Sequence, residues 1–147
     1  MVYATILVTL ENSESDQVIL RHIRPLAKLA GSKLLLMHVA DGFVARHQEL
    51  LDLHDSEEIA GDRLYLETEC AKLRAEGFEA QAVLERGEPA EQILRVAQEE
   101  KCELIAMATH GHGAMADFIL GSVAHEVRHR TSLPLLLVRD PRVGREP

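Results

Sequence analysis

Leu104-Ile105-Ala106-Met107-Ala108-Thr109-His110-Gly111, followed after nine residues by Gly121-Ser122-Val123-Ala124, decides how this chain is read. The apolar run from Leu104 to Ala108 predicts a strand. Amphipathic spacing from Val123 predicts a helix that begins at Gly121 or Ser122 and runs to about Arg130. Glycine and small residues therefore stand where a strand ends and a helix begins. Such residues let bare backbone N–H groups approach an anion. The first turn of a helix leaves about four N–H groups without an internal partner. The segment points to phosphate.

Magnitudes limit that reading. A helix dipole contributes about 0.3–1 kcal/mol to an exposed anion. A micromolar ligand needs about 8 kcal/mol. Several charge-assisted N–H bonds of about 1.5–3 kcal/mol each must add to the dipole, together with an apolar slot for the rest of the ligand. The alternative is a structural loop in which the glycines make a tight turn and Ser122 is a plain helix cap. Spacing alone weighs the two about equally.

Upstream, Thr5-Ile6-Leu7-Val8-Thr9-Leu10 predicts a strand buried on both faces. A polar break with a cap at Ser13 or Ser15 leads into a helix to Ala30. Pro25 should kink or split that helix. Gly31 should close it. Lys33–Val39 predicts a second strand, with His38 at the sheet edge. Residues 41–53 read as loop or short helix. A helix from about Ser56 to Glu76, stopped by Gly77, precedes a third strand over Phe78–Leu84. Gly87-Glu88-Pro89-Ala90 starts the next helix, with proline in its first turn. Leu135-Leu136-Leu137-Val138 is the fifth strand. The order β-α-β-α-β-α-β-α-β predicts an α/β fold: one doubly wound domain, residues 1–140, with a five-stranded parallel sheet and helices on both faces. Residues 141–147 read as a frayed tail. In such sheets ligands bind at the carboxyl ends of the strands, where Thr109–Ser122 begins.

Composition excludes several classes. The chain has 147 residues, 46% of them hydrophobic, and a formal charge of −8. That charge opposes nucleic-acid and anionic-membrane binding but not one anion in a local pocket. No apolar run approaches the ~18 residues of a membrane span. The isolated cysteines, Cys70 and Cys102, suit a reducing cytoplasm, although one disulfide stays open.

Taken together, Met107-x-Thr109-His110-Gly111, the nine-residue gap, Gly121-Ser122 and Pro134-Leu135-Leu136-Leu137-Val138-Arg139 resemble the C-terminal signature of universal stress proteins. Ile6-Leu7-Val8, Leu36-Met37-His38-Val39 and Gly87-Glu88-Pro89 extend the resemblance over nearly the whole chain. It implies strand order 3-2-1-4-5 and a homodimer joined through the last strand, Leu135, Leu136, Leu137 and Val138. It implies that this chain binds ATP or a related adenine nucleotide, with Mg2+ entering beside the phosphates. Gly111, Gly121 and Ser122, with His110 and Val123 beside them, would cradle the phosphates. Leu10, Glu11 and Val39 would flank base and ribose. The sequence departs from the family at two places. Ala108 stands at the first glycine of Gly-x-x-Gly, and Glu11 stands where aspartate is usual. At a left-handed position the alanine would cost about 1–2 kcal/mol; in an extended strand end it would cost nothing. The implied role is regulatory or protective, without fast catalysis. The alternatives are a nucleotide-free dimeric interaction module and a slow ATP hydrolase.

Rival motifs fit less well. Gly111-His112-Gly113-Ala114-Met115-Ala116 matches a dinucleotide fingerprint, but it follows the fourth strand rather than the first. His110-Gly-His112 is misplaced in the same way for nucleotidylyl transfer. There is no P-loop. His125 and His129 share a helix face without acidic or cysteine partners at metal spacing. Ser122, His125 and Asp117 lack a nucleophile elbow. No metal ligand and no catalytic residue is expected.

Overall fold

The computed structural model describes residues 2–41, 52–109 and 121–141. Its elements are β1 (Thr5–Thr9), α1 (Ser15–Ala30), β2 (Lys33–Asp41), α2 (Asp52–Ala75), β3 (Glu79–Gly87), α3 (Pro89–Glu99), β4 (Leu104–Thr109), α4 (Ser122–Arg130) and β5 (Leu135–Arg139). The five strands form one parallel sheet in the order β3-β2-β1-β4-β5. The expected α/β architecture and strand order are both present.

Alternating side chains divide the core. Ile6, Val8, Leu34, Leu36, Leu104 and Ala106 face α1 and α2, which bury Ile19, Leu20, Ile23, Leu66, Cys70 and Leu73 against them. Leu7, Leu35, Met37, Ile105 and Met107 face α3 and α4, which bury Ile93, Val96, Ala97, Ala124 and Val127. Each fully buried aliphatic side chain contributes about 1.5–3 kcal/mol. Cys70 and Cys102 are buried in opposite layers, so the sheet separates them and they are free thiols. Burial pushes both thiols up to about 11.

Several local expectations are corrected. Helix α1 runs unbroken through Pro25 rather than splitting there. Pro25 lies on the exposed face, while Ile23 and Ala27 hold the other face to the sheet. Neither Ser13 nor Ser15 caps this helix. Glu14 holds the cap position without a side-chain bond, and Ser15, buried in the first turn, donates to Asp140 at 2.9 Å. Gly31 closes α1 at φ 70, the left-handed conformation that glycine adopts without strain. Strands β2 and β3 run further than the sequence suggested. They pair continuously from Lys33 with Glu79 to Asp41 with Gly87. Helix α2 begins at Asp52, earlier than Ser56. Of the loop or short helix expected over 41–53, Asp41 ends β2 and residues 52–53 open α2, while 42–51, like the tail over 142–147, lie outside the described residues.

Candidate functional site

The carboxyl ends of β1, β2 and β4 meet the start of α4 around a crevice of about 250 Å3. Leu10 and Glu11 wall it from the β1 end, and Val39 from the β2 end. Ala108 closes it from β4, and Gly121, Ser122 and Val123 from α4. Met37, Ile93 and Met107 give it an apolar floor. His110 and Gly111 lie outside the described residues.

The β1 wall is built from inside. Asp16, 1% exposed, turns its carboxylate back on the preceding loop. It accepts the backbone N–H of Glu11 at 2.8 Å, of Asn12 at 2.8 Å and of Ser13 at 3.2 Å. Tyr65 of α2 donates its hydroxyl to the same group at 2.6 Å. Burial, reinforced by that carboxylate, holds the Tyr65 phenol well above the ordinary tyrosine range. Leu10 donates its N–H to the Met37 carbonyl at 2.7 Å, which fixes the loop to β2.

The α4 wall is different. Gly121 occupies the helix cap at φ −52 and ψ 150, a conformation open to any residue. A Cβ added there meets nothing within 4 Å among the described residues. Among the described residues neither backbone strain nor packing requires glycine at this place. The N–H groups of Ser122, Val123 and Ala124 precede the first intrahelical bond, which His125 N–H makes to the Gly121 carbonyl. Ala108 sits in β4 opposite Val138, with no left-handed backbone angle. Its methyl therefore brings no strain.

A second cavity, about 930 Å3, adjoins the crevice and shares His38, Val39, Pro89, Ser122 and Val123 with it. Glu58, Asp62, Glu88 and Glu126 line it. Glu88 already accepts the N–H groups of Ala90 and Glu91 and so caps α3. Gly61 faces this cavity from the middle of α2, again with no atom of the described residues within 4 Å of an added Cβ. A mid-helix glycine costs about 0.5–1 kcal/mol. The sequence reading passed over this residue, although its misfit to a helical pattern was the available signal. Asp16 carries no such signal, and His38 was expected at the sheet edge. His38 is not at a sheet edge, because β2 lies between β1 and β3. Its ring bridges the Leu10 carbonyl, 2.8 Å from Nδ1, and the Asp62 carboxylate, 3.3 Å from Nε2.

Among the described residues no three His, Cys, Asp or Glu side chains converge as a metal site. The His125 and His129 rings meet edge to face at 4.4 Å on α4. Asp117 lies outside the described residues.

A family model described as "Universal stress protein family" matches residues 3–139. The chain belongs to the universal stress protein family. Universal stress protein MJ0577 of Methanocaldococcus jannaschii is 26% identical, over 95% of this chain and 96% of its own. Its solved structure superposes with a TM-score of 0.83 at 25% identity, covering 95% of this chain and 98% of that one. A Thermus aquaticus universal stress protein is 32% identical over 93% of this chain and 99% of its own. A universal stress protein of Archaeoglobus fulgidus, solved in complex with dAMP, has a TM-score of 0.69 at 26% identity and covers 94% and 99% of the two chains. The family's α/β sheet is the sheet found here.

Proposed function

We propose that this universal stress protein binds ATP or a related adenine nucleotide in the crevice between β1, β2, β4 and α4. Its part in the stress response is then regulatory or protective, with the bound nucleotide marking a state. The observation that carries this reading is Gly121. It is a cap glycine with ordinary backbone angles and, among the described residues, no atom where a side chain would stand, beside three N–H groups at a helix start. The dAMP complex of the Archaeoglobus fulgidus relative supports the ligand class.

In this reading Gly121, Ser122 and Val123 meet the phosphates, with His110 and Gly111 completing the loop. Leu10, Glu11 and Val39 flank base and ribose, and Ala108 closes the floor. The carboxylates of the adjoining cavity disfavour a bare polyphosphate, so Mg2+ enters with the phosphates rather than on a protein site. Residues 1–140 act as the binding domain. Two copies join through β5, whose Leu135, Leu136, Leu137 and Val138 stay half-buried at the sheet edge. Among the described residues no strand pairs with its outer side, and an apolar edge of this kind invites a partner strand. The protein would act in a reducing cytoplasm, where Cys70 and Cys102 stay as thiols.

Thermal unfolding with and without Mg-ATP, AMP and dAMP tests the binding. A ligand at 100 times its Kd adds about 2.7 kcal/mol of stability. A midpoint that no adenine nucleotide moves leaves a nucleotide-free interaction module. Sedimentation equilibrium tests the dimer; a mass of one chain at every concentration overturns it.

A further inference from the structure

At the amino end of the sheet, opposite the nucleotide crevice, lies a cavity of about 530 Å3. Helices α1 and α2 both end beside it, and the starts of β2 and β3 close it. Ser32, between Gly31 and β2, lines it and is 5% exposed. Its hydroxyl is buried and, among the described residues, has no hydrogen-bond partner. A buried hydroxyl left unpaired costs stability, so its presence calls for a reason. Serine has three staggered side-chain positions, and its oxygen can turn toward the cavity that the residue lines. Arg24 of α1 and Glu76 beyond α2 also line the cavity, but they satisfy each other through two bonds of 2.9 and 3.0 Å. Lys28 and Glu79 line it too, and neither takes part in an ion pair among the described residues. One cation, one anion and one hydroxyl are left without a partner around the same space.

We propose that this cavity is a second binding site, for a small zwitterion of the free amino-acid type. The carboxylate of the ligand meets the Lys28 ammonium and accepts from the Ser32 hydroxyl. Its ammonium donates to the Glu79 carboxylate. Helix carboxyl ends favour positive charge, and two of them meet here, so they add to the hold on the ammonium. A lone anion would leave Glu79 unanswered beside it, and a lone cation would leave Lys28 unanswered. Charge therefore selects a molecule that carries both signs. Pro25, Ala27 and Phe78 add an apolar part to the lining that suits an aliphatic side chain. The Arg24–Glu76 pair ties the α1 wall to the α2 wall. The cavity shares no residue with the crevice, so this site stands or falls apart from the nucleotide reading.

Three probes of one carbon skeleton separate the charge classes: L-leucine, isocaproate and isoamylamine. Titrated into 15N-labelled protein, L-leucine should shift the amides of Gly31, Ser32, Gly77 and Phe78 saturably in the millimolar range. The amides of Ser122, Val123 and Ala124 should stay in place. Isocaproate, which lacks the ammonium, and isoamylamine, which lacks the carboxylate, should each bind about ten-fold more weakly. Glu79→Gln, a change at an exposed position, should weaken leucine about ten-fold and leave isocaproate unaltered. Ser32→Ala should weaken leucine and isocaproate alike, while the unliganded protein melts no lower, because a stranded hydroxyl is gone. Isocaproate that binds as tightly as leucine makes the cavity a plain anion site and overturns the proposal. So do leucine shifts confined to other amides, leucine that moves no amide, and a Ser32→Ala variant that binds leucine as wild type does.

Discussion

Helices α1 and α4 both start at the carboxyl end of the sheet, one after β1 and the other after β4, and their starts are furnished in opposite ways. Before α1 the protein supplies its own anion. The Asp16 carboxylate accepts three backbone N–H groups and the Tyr65 hydroxyl, and the loop closes on itself. At α4 the cap is a glycine, and among the described residues no carboxylate meets the first N–H groups. Donors at a helix start need a partner, from the chain, from water or from a ligand. Before α1 the chain has filled the place and the loop is a wall; at α4, among the described residues, nothing fills it, and in the nucleotide reading an anion does. The two starts border the same crevice.

The largest effect comes from emptying the filled place. Asp16→Ala strands three loop N–H groups and a half-buried hydroxyl, so it should cost about 3–5 kcal/mol. At this chain length that lowers the melting temperature by about 10 °C or more. A loss under about 1 kcal/mol would mean that the loop holds its shape without an internal anion, and the contrast with α4 would fail.

Filling the empty place should do the reverse. Gly121→Asp puts a carboxylate at an N-cap whose backbone angles already suit it. Stability should stay level or rise by up to about 1 kcal/mol. Adenine nucleotide affinity should fall about 100-fold, equivalent to about 2.7 kcal/mol, because the new charge takes the phosphate's place and repels it. Stability and binding moving in opposite directions is the signature. A variant that is both less stable and unaltered in binding would make Gly121 a structural residue after all.

Tyr65→Phe sharpens the comparison from the α1 side. It removes one donor from Asp16 and leaves the backbone bonds, at a cost of about 2 kcal/mol. Burial first, then Asp16, hold the folded phenol above its usual 10.0. Above that pH the unfolded chain releases this proton while the folded chain keeps it, so wild-type stability falls as the pH climbs. Tyr65→Phe should lose this component of the alkaline decline. In wild type, phenolate absorbance should report Tyr65 ionising only with unfolding.

Legibility in the sequence follows range. The sheet was readable because Ile6-Leu7-Val8, Leu34-Leu35-Leu36 and Leu104-Ile105-Ala106 are buried on both faces, and such runs are local. The α4 start was readable for the same reason: glycine and serine sit where a strand meets a helix. Ser13 and Ser15 misled because residue type marks a cap only when nothing stronger is near. Asp16 is stronger, but its role depends on Tyr65, 49 positions away. His38 was misplaced because strand order, not strand content, decides which strand is interior. Its partner Asp62 is on another helix and invisible to spacing. Pro25 misled because its cost depends on whether the freed carbonyl reaches water, a property of the folded surface.

The smallest expected effect lies at the one place where the family glycine is missing. Ala108 is in β4, paired with Val138, and its backbone is not left-handed. Ala108→Gly therefore relieves no strain, and affinity should change by less than about two-fold. Glycine in a strand is entropically costly, so stability should drop by about 0.5–1 kcal/mol. The opposite outcome is equally definite. If Ala108→Gly tightened nucleotide binding about ten-fold, the β4 end would have to leave its extended conformation on binding, and the methyl would be the cost of that movement. The α4 start would then be a place that opens for its ligand rather than one that stands ready for it, and the comparison with α1 would concern motion instead of charge.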